Sequence, residues 1–228
     1  MKGKNLFLTL LPAIVILLVG FVVAAVIYFL PGEKTTYDVV FCNENNEVLA
    51  TVKANEGEPV KAPDIQPKQN AVFKGWSVDL SNVTQDMEAR PLYTDLSKDV
   101  NAIYMDTYYG EVGKELWVEV KMAGEINLAS VDLGIAFDSD TLKLIEYDGM
   151  SNVDKENVKE QKDYLTFPMG FEDTPKPGDV VLKLKFQCKG KHLVHTDLPI
   201  DIKNAKTLLN GVLQPAECTS VKGNIYIY

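Results

Sequence analysis

The fold is decided by the stretch NLASVDLGIAFD, residues 127–138, in the second half of the chain. Large apolar residues occupy every second position of this stretch, namely Val131, Leu133, Ile135 and Phe137. Successive side chains of a β-strand point to opposite faces, so this alternation predicts a strand with one buried face. Ser130, Asp132 and Gly134 would then lie on the face exposed to solvent.

Strands of the same kind are predicted on both sides of this stretch. Leu116–Met122 alternates before it and Leu182–Cys188 alternates after it, and no long segment of this region keeps a helical period. Lys183 and Lys185 stand opposite the apolar side chains of their strand. Many short alternating strands in residues 101–228 predict an antiparallel β-sandwich.

A smaller β-rich unit, the small module, is predicted at residues 35–96. Tyr37–Phe41 alternates like a half-buried strand, and Glu47–Val52 returns as its hairpin partner. Asn43–Asn46 predicts the turn between them, because Asn tolerates a positive φ. Leu96–Asp99 is a short linker to the second unit.

Four motifs in residues 101–228 follow each other in the order and spacing of a known family. They are Gly124 with Leu128–Asp132, Phe137–Asp138 with Leu142, Gly178–Phe186, and the closing Gly223–Ile227. On these residues the region resembles a cohesin domain. The resemblance implies a nine-stranded jelly-roll β-sandwich related to carbohydrate-binding modules. It also implies binding of dockerins, small helical modules often carried by polysaccharide-degrading enzymes, with calcium on the dockerin and no cofactor on this chain.

The resemblance implies a partner-binding face as well. Cohesins hold the dockerin on one sheet face, and by position the resemblance implies that Ser130 and Asp132 would be the polar contacts of this chain. The small Gly134 would keep the face flat for a partner helix. Lys183 and Lys185 would extend the face if their strand is a neighbour. The alternative is that all five are ordinary solvated strand residues.

The small module carries motifs of its own. They are Tyr37-x-Val39-x-Phe41, the set Gly57, Val60 and Pro63, the run Phe73-x-Gly75-Trp76, and Asn82–Thr84 before Tyr93. On these residues it resembles the internalin-type B-repeat, a β-grasp-like module of bacterial surface proteins that serves as a spacer or adhesive repeat. Trp76 is predicted to lie in the core, and the alternative is a sugar-stacking platform.

Residues 1–34 are predicted to hold the chain in a membrane. No charged side chain occurs from Asn5 to Leu30. A helix of about 26 residues is ~39 Å long, which exceeds the ~30 Å hydrocarbon core of a bilayer. Lys2 and Lys4 precede the apolar run, which predicts a single-pass protein with a cytoplasmic N-terminus and an extracellular C-terminal region. The alternative is a cleaved signal peptide, whose apolar core is normally only about 7–15 residues long.

Composition argues against several other classes of function. The chain has 32 acidic and 23 basic residues, a net charge of -9, and no basic stripe, so nucleic acid is a poor partner. Its three cysteines are Cys42, Cys188 and Cys218. This odd number favours buried free thiols over a disulfide framework, although a Cys188–Cys218 pair is the alternative.

No motif for catalysis is present. His192 and His195 have no clear third metal ligand and are predicted to be surface residues. Asp138 and Asp140 lack the Gly and Glu of an EF-hand loop and predict a turn. The charged stretch Val153–Lys162 predicts a short helix or a solvated loop. We therefore expect a protein that is not an enzyme.

The sequence predicts a membrane-anchored bacterial cell-surface scaffold or receptor that binds dockerin-bearing proteins through residues 101–228. One alternative is a carbohydrate-binding surface module, for which polysaccharide would be the partner, since the sandwich fold hosts both activities. That alternative predicts a row of exposed aromatic rings on one sheet face. A structural adhesin segment is the third hypothesis.

Overall fold

The chain is mainly β in the computed structural model, which describes residues 34–66, 68–97, 101–124, 128–149, 152–190 and 194–228. The predicted membrane segment and His192 lie outside the described residues. Within the described residues, no helix is both long and apolar enough to cross a bilayer. The stretch predicted as a short helix or loop contains a 3-10 turn, Lys155–Asn157, and a short exposed strand.

Among the described residues, five strands form the small module. They are β1 (Thr36–Cys42), β2 (Val48–Asn55), β3 (Ala71–Trp76), β4 (Met87–Ala89) and β5 (Pro91–Asp95). β1 lies between β2 and the parallel β4, and β3 pairs with β5. At the predicted turn, the Asn43 side chain accepts hydrogen bonds from the backbone N–H groups of Asn45 and Glu47, and Asn46 has a φ of 66°. The structure therefore confirms this predicted turn.

Aromatic rings fill the core of the small module. Trp76 is only 6% exposed, and its ring meets those of Phe41 and Phe73 edge-on at centroid distances of 4.8 and 5.9 Å. Edge-to-face contacts of this kind stabilise a core beyond the area that they bury. The predicted core position of Trp76 is confirmed.

The remaining strands build the sandwich. They are β6 (Ala102–Met105), β7 (Thr107–Gly110), β8 (Glu115–Ala123), β9 (Leu128–Ala136), β10 (Leu142–Asp148), β11 (Lys159–Gln161), β12 (Tyr164–Gly170), β13 (Val180–Cys188), β14 (Val194–Leu198), β15 (Ile200–Leu209), β16 (Val212–Pro215), β17 (Thr219–Val221) and β18 (Gly223–Ile227).

Two five-stranded sheets, β10-β13-β8-β6-β17 and β11-β12-β9-β15-β16, enclose one hydrophobic core. The first sheet contributes Val118, Val120, Leu182, Leu184 and Phe186 to that core, and the second contributes Val131, Leu133, Ile135, Leu165 and Phe167. A three-stranded sheet, β14-β18-β7, adds Leu198, Ile225 and Ile227. The predicted β-sandwich and the buried face of β9 are therefore confirmed.

Two features of the sandwich differ from the expectation. The first and last strands run parallel, β6 beside β17 and β7 beside β18, so the sandwich is not purely antiparallel. The described residues also form more strands than nine. One reason is that the chain leaves the first sheet at Asp106 and again at Lys222, so that each long terminal strand is divided between two sheets.

The free edge of β3 is held by side chains of the sandwich. Asp106 accepts a hydrogen bond from the backbone N–H of Phe73 at 2.8 Å, and the Tyr109 hydroxyl accepts one from Trp76 at 3.2 Å. Asp106 also forms an ion pair with the buried Lys121 at 2.8 Å. Residues Tyr37–Tyr228 accordingly form one compact unit. A domain boundary between residues 96 and 101 stays a prediction.

The three cysteines are free thiols. Cys42 and Cys188 are buried, as predicted, whereas Cys218 is only partly buried. Burial raises the pKa of the Cys218 thiol to about 11 and also raises that of Cys188. Since the thiolate is the reactive form, these cysteines are poor nucleophiles at neutral pH.

Candidate partner-binding face

β9 is the middle strand of its sheet, so its outward side chains lie at the centre of an exposed surface. We call this surface the β9 face. Residues paired directly across neighbouring strands point to the same side of a sheet. The pairing therefore arranges the β9 face in three rows: Lys159, Thr166, Gly134 and Asp201, then Pro168, Asp132 and Lys203, then Gly170, Ser130, Lys206 and Pro215.

Ser130 and Asp132 lie on this face, as predicted, and both are half-buried. One carboxylate oxygen of Asp132 accepts a hydrogen bond from the side-chain amide of Asn204 at 2.6 Å. Asn204 has a φ of 51° and lies where the register between β15 and β9 shifts. Within the described residues, the second oxygen of Asp132 and the hydroxyl of Ser130 have no hydrogen-bond partner, so both can bind another molecule.

Gly134 is buried beneath an aromatic ring. A Cβ atom at this position would lie 1.9 Å from the Tyr164 hydroxyl oxygen, which donates a hydrogen bond to Asp201 at 2.9 Å. Burial and the Asp201 carboxylate both raise the pKa of Tyr164. Gly134 therefore keeps the face flat by accommodating the ring of Tyr164, and a partner would contact that ring and not the glycine.

The structure places Lys183 and Lys185 away from this face. Both lie on β13, in the opposite five-stranded sheet, and the prediction that they extend the β9 face is wrong. The sequence could not show this, because sheet order depends on pairings between strands far apart in the chain. The five predicted contacts are thus divided between the two outer surfaces of the sandwich.

On the outer surface of β13, the charges are already paired. Lys183 binds Glu119 at 3.1 Å, and Lys185 binds Glu115 at 2.8 Å with its ammonium group 5.5 Å from the centre of the Trp117 ring. Burial would raise the pKa of Glu119, but its neighbouring lysines lower it, and the Glu115 partner raises the pKa of Lys185. These residues are typical of a solvated sheet surface with matched charges.

The lysines of the β9 face differ in this respect. Lys159, Lys203 and Lys206 are exposed, and none of them has an ion-pair partner among the described residues. Lys203 and Lys206 are the direct neighbours of Asp132 and Ser130 on β15. The centre of the β9 face therefore combines unpaired cations with unused hydrogen-bonding groups.

An apolar hairpin continues the β9 face at one end. β15 and β16 are joined by Asn210-Gly211, both with positive φ, as two-residue hairpin turns require. Leu208 pairs with Leu213 on the side of Lys206, and Leu209 pairs with Val212 on the opposite side. All four are between 47% and 59% exposed.

The residues of β15 and β16 were not predicted as site residues. Asn-Gly between apolar residues is a strong hairpin signal that would have identified the turn. The irregular register around Asn204 interrupts the alternation of β15, however, and hides which of its lysines share a face with Asp132. Only the pairing of the strands shows that Lys203 and Lys206 belong to the β9 face.

A row of aromatic rings crosses the three-stranded sheet. Direct pairing places His195, Tyr226 and Tyr109 side by side, with ring centroids 4.7 and 5.5 Å apart and nearly parallel planes. The row lines a cleft of about 470 Å³ against Trp76 and Asp79 of the small module. Tyr226 is flanked by a ring on each side, so these rings direct much of their faces toward each other and mainly their edges toward the cleft.

No protein-family model matches the chain, and no curated protein matches it. Solved structures similar to this chain include the seventh ScaB type I cohesin from Pseudobacteroides cellulosolvens, with 16% identity, a TM-score of 0.49, and coverage of 57% of this chain and 92% of that one. The sixth cohesin of scaffoldin B from Acetivibrio cellulolyticus, in complex with a mutant Cel5 dockerin, has 18% identity, a TM-score of 0.48 and coverage of 57% and 99%.

The Coh-OlpC–Doc435 complex from Clostridium thermocellum has 14% identity, a TM-score of 0.46 and coverage of 59% and 97%. At these values, the comparisons describe a likeness to cohesins and assign neither a family nor a partner to this chain.

Proposed function

We propose that this chain binds dockerin-bearing proteins at a bacterial cell surface and that the β9 face is its binding site. The observation that carries the proposal is the centre of that face. Ser130 and Asp132 offer unused hydrogen-bonding groups beside Lys203 and Lys206, which have no ion pairs in the described part of the chain. Such groups gain more from a partner than charges that are already paired.

The shape of the β9 face supports a helical partner. Gly134 lets the Tyr164 ring lie down against the sheet, and the small Ser130 and Gly170 share a row. A flat surface on a rigid sheet can meet a helix without rearrangement, which limits the entropy lost on binding. The cohesin-like motifs in residues 101–228 independently support a dockerin as that helical partner.

The location at the cell surface is part of the same proposal. The uncharged segment from Asn5 to Leu30 would anchor the chain in the membrane, with the preceding lysines in the cytoplasm. The B-repeat-like small module would hold the sandwich away from the membrane. Protease added to intact cells should then degrade residues 35–228, and survival of this region until the cells are lysed would contradict the orientation.

Binding is tested with the full chain in detergent, because the small module contacts the sandwich through Asp106 and Tyr109. Calcium-loaded Cel5 dockerin and Doc435 serve as probes, and each is measured again after calcium is chelated. We expect calcium-dependent binding of at least one dockerin. Absence of binding to both dockerins would overturn the proposal, and retention on polysaccharide would then favour carbohydrate binding.

Carbohydrate binding is the second candidate function, and the aromatic row of Tyr109, Tyr226 and His195 favours it. This row is the feature that the carbohydrate hypothesis predicts, and its cleft also contains Lys74 and Asp79 as hydrogen-bonding groups. Sugar rings stack on open aromatic faces, whereas these faces are largely turned toward neighbouring rings. Retention of the full chain on insoluble polysaccharide, lost in Tyr226→Ala, would support this function.

A further inference from the structure

The charges and apolar residues of the β9 face define the chemistry of its partner. We propose that the partner docks a helix with an apolar ridge and acidic flanks, the ridge on Leu208 and Leu213 and the acidic groups on Lys203 and Lys206. This inference rests on the proposed function and specifies which part of the face selects the partner.

The lysines carry the electrostatic half of the inference. The chain has a net charge of -9, so its overall charge repels an acidic partner. On the outer surface of β13, Lys183 and Lys185 are neutralised by glutamates. Lys203 and Lys206, like Lys159, have no such partners in the described residues. These three unpaired lysines outnumber the two carboxylates of the β9 face, those of Asp132 and Asp201, so the face has a local excess of positive charge.

The hairpin carries the apolar half. Leu208 and Leu213 lie on the same side as Lys206 and are 50% and 54% exposed. They extend the β9 face beyond the last polar row, so a helix lying along β15 would cover the lysines and then the leucines. An exposed apolar group beside a polar, flat surface is typical of an interface core with a charged rim.

The two sides of the hairpin provide a matched control. Leu209 and Val212 are 47% and 59% exposed, on the same two strands and beside the same turn, but on the side away from the β9 face. A partner that lies on the β9 face cannot cover both sides. A bilayer surface or a deep groove would instead bury the apolar side chains on both sides of the hairpin.

The test measures binding of calcium-loaded Cel5 dockerin and Doc435 to the full chain by biolayer interferometry. If the partner covers the exposed half of the Leu208 side chain, Leu208→Ser should weaken binding about fivefold. Leu209 lies on the opposite side of the hairpin, so Leu209→Ser should change the affinity by less than about twofold. Lys206→Glu should slow association about threefold or more, because rim charges act mainly on the association rate. Lys143→Glu is the control, because it makes the same change of charge at an exposed lysine of β10. It should leave the association rate unchanged.

Each outcome decides a different point. Equal losses in Leu208→Ser and Leu209→Ser, or equal slowing in Lys206→Glu and Lys143→Glu, would overturn the inference. Binding that is lost in Asp132→Lys but unchanged in Leu208→Ser and Lys206→Glu would overturn the inference and leave the proposed function in place. Absence of binding to either dockerin by the unmodified chain would overturn both.

Discussion

Asp106 links the small module to the sandwich, because its carboxylate accepts the backbone N–H of Phe73 and also pairs with Lys121 inside the sandwich. The variant Asp106→Ala tests how much these contacts stabilise the protein. The side chains of Lys121 and Asp106 are only 5% and 14% exposed, and Asp106 also accepts the backbone N–H of Phe73. Removing the carboxylate leaves a buried cation and an unpaired N–H group at the same place. Glu119, 3.4 Å from the Lys121 ammonium group, compensates for part of this loss.

The expected cost follows from these contacts. Breaking a buried ion pair on one side costs about 3–5 kcal/mol, and we take the lower end because Glu119 remains. The unpaired N–H of Phe73 adds about 1 kcal/mol. The free energy of unfolding should therefore fall by about 4 kcal/mol. In a unit of about 190 residues, this loss corresponds to a thermal midpoint lower by roughly 8–16 °C.

Thermal and urea unfolding, followed by circular dichroism, measure this loss. Asp106→Asn keeps an acceptor for Phe73 and should lose less than Asp106→Ala. Glu44→Ala is the control, because it removes an exposed pair with Lys68 at a similar distance of 2.9 Å and should cost less than about 1 kcal/mol. A loss in Asp106→Ala no larger than that in Glu44→Ala would refute the reasoning.

Three further predictions concern single side chains. Burial raises the pKa of Tyr109 to about 12, so this tyrosine ionises at a lower pH in the unfolded chain, and the free energy of unfolding should fall as the pH rises from about 10 to 12. Tyr109→Phe should make the free energy of unfolding in urea less sensitive to pH in that range. An unchanged pH dependence would contradict this prediction. Gly134→Ala should lower the free energy of unfolding by about 1–3 kcal/mol, because the new Cβ atom clashes with the Tyr164 side chain. In a double-mutant cycle, most of this loss should vanish when Tyr164 is replaced by alanine. Equal losses with and without Tyr164→Ala would exclude the steric explanation. Lys185→Ala should change the dockerin affinity measured by calorimetric titration by less than about twofold, because Lys185 lies on the sheet opposite the β9 face. A larger loss would show that this lysine contributes to the binding site.

The fold could be predicted where the burial pattern is regular. In β9 from Val131 onward and in β13 from Leu182 onward, the alternation of apolar residues predicts both the strand and its buried face. Trp76 was assigned correctly to the core from its motif. The direction of the terminal strands could not be predicted, because the parallel pairing of β6 with β17 joins the first and the last part of residues 101–228, which are far apart in the sequence.

The candidate site was predictable in its centre and not at its borders. The alternation of β9 predicts that Ser130 and Asp132 lie on its outer face, and this alternation depends only on local sequence. Lys183 and Lys185 were misplaced because the order of strands in a sheet depends on tertiary packing. Lys203 and Lys206 were missed for a related reason, since the register shift near Asn204 changes which residues of β15 share a face.

The central claim is that the β9 face binds a dockerin, and Asp132→Lys tests it most directly. Calorimetric titration compares the full chain, Asp132→Lys and Asp64→Lys with calcium-loaded Cel5 dockerin and Doc435. Asp64 lies exposed in the small module, so Asp64→Lys makes the same change of charge away from the face. We predict that Asp132→Lys weakens binding at least about tenfold with little change in thermal midpoint, and that Asp64→Lys binds like the unmodified chain. Unchanged affinity in Asp132→Lys would contradict the claim.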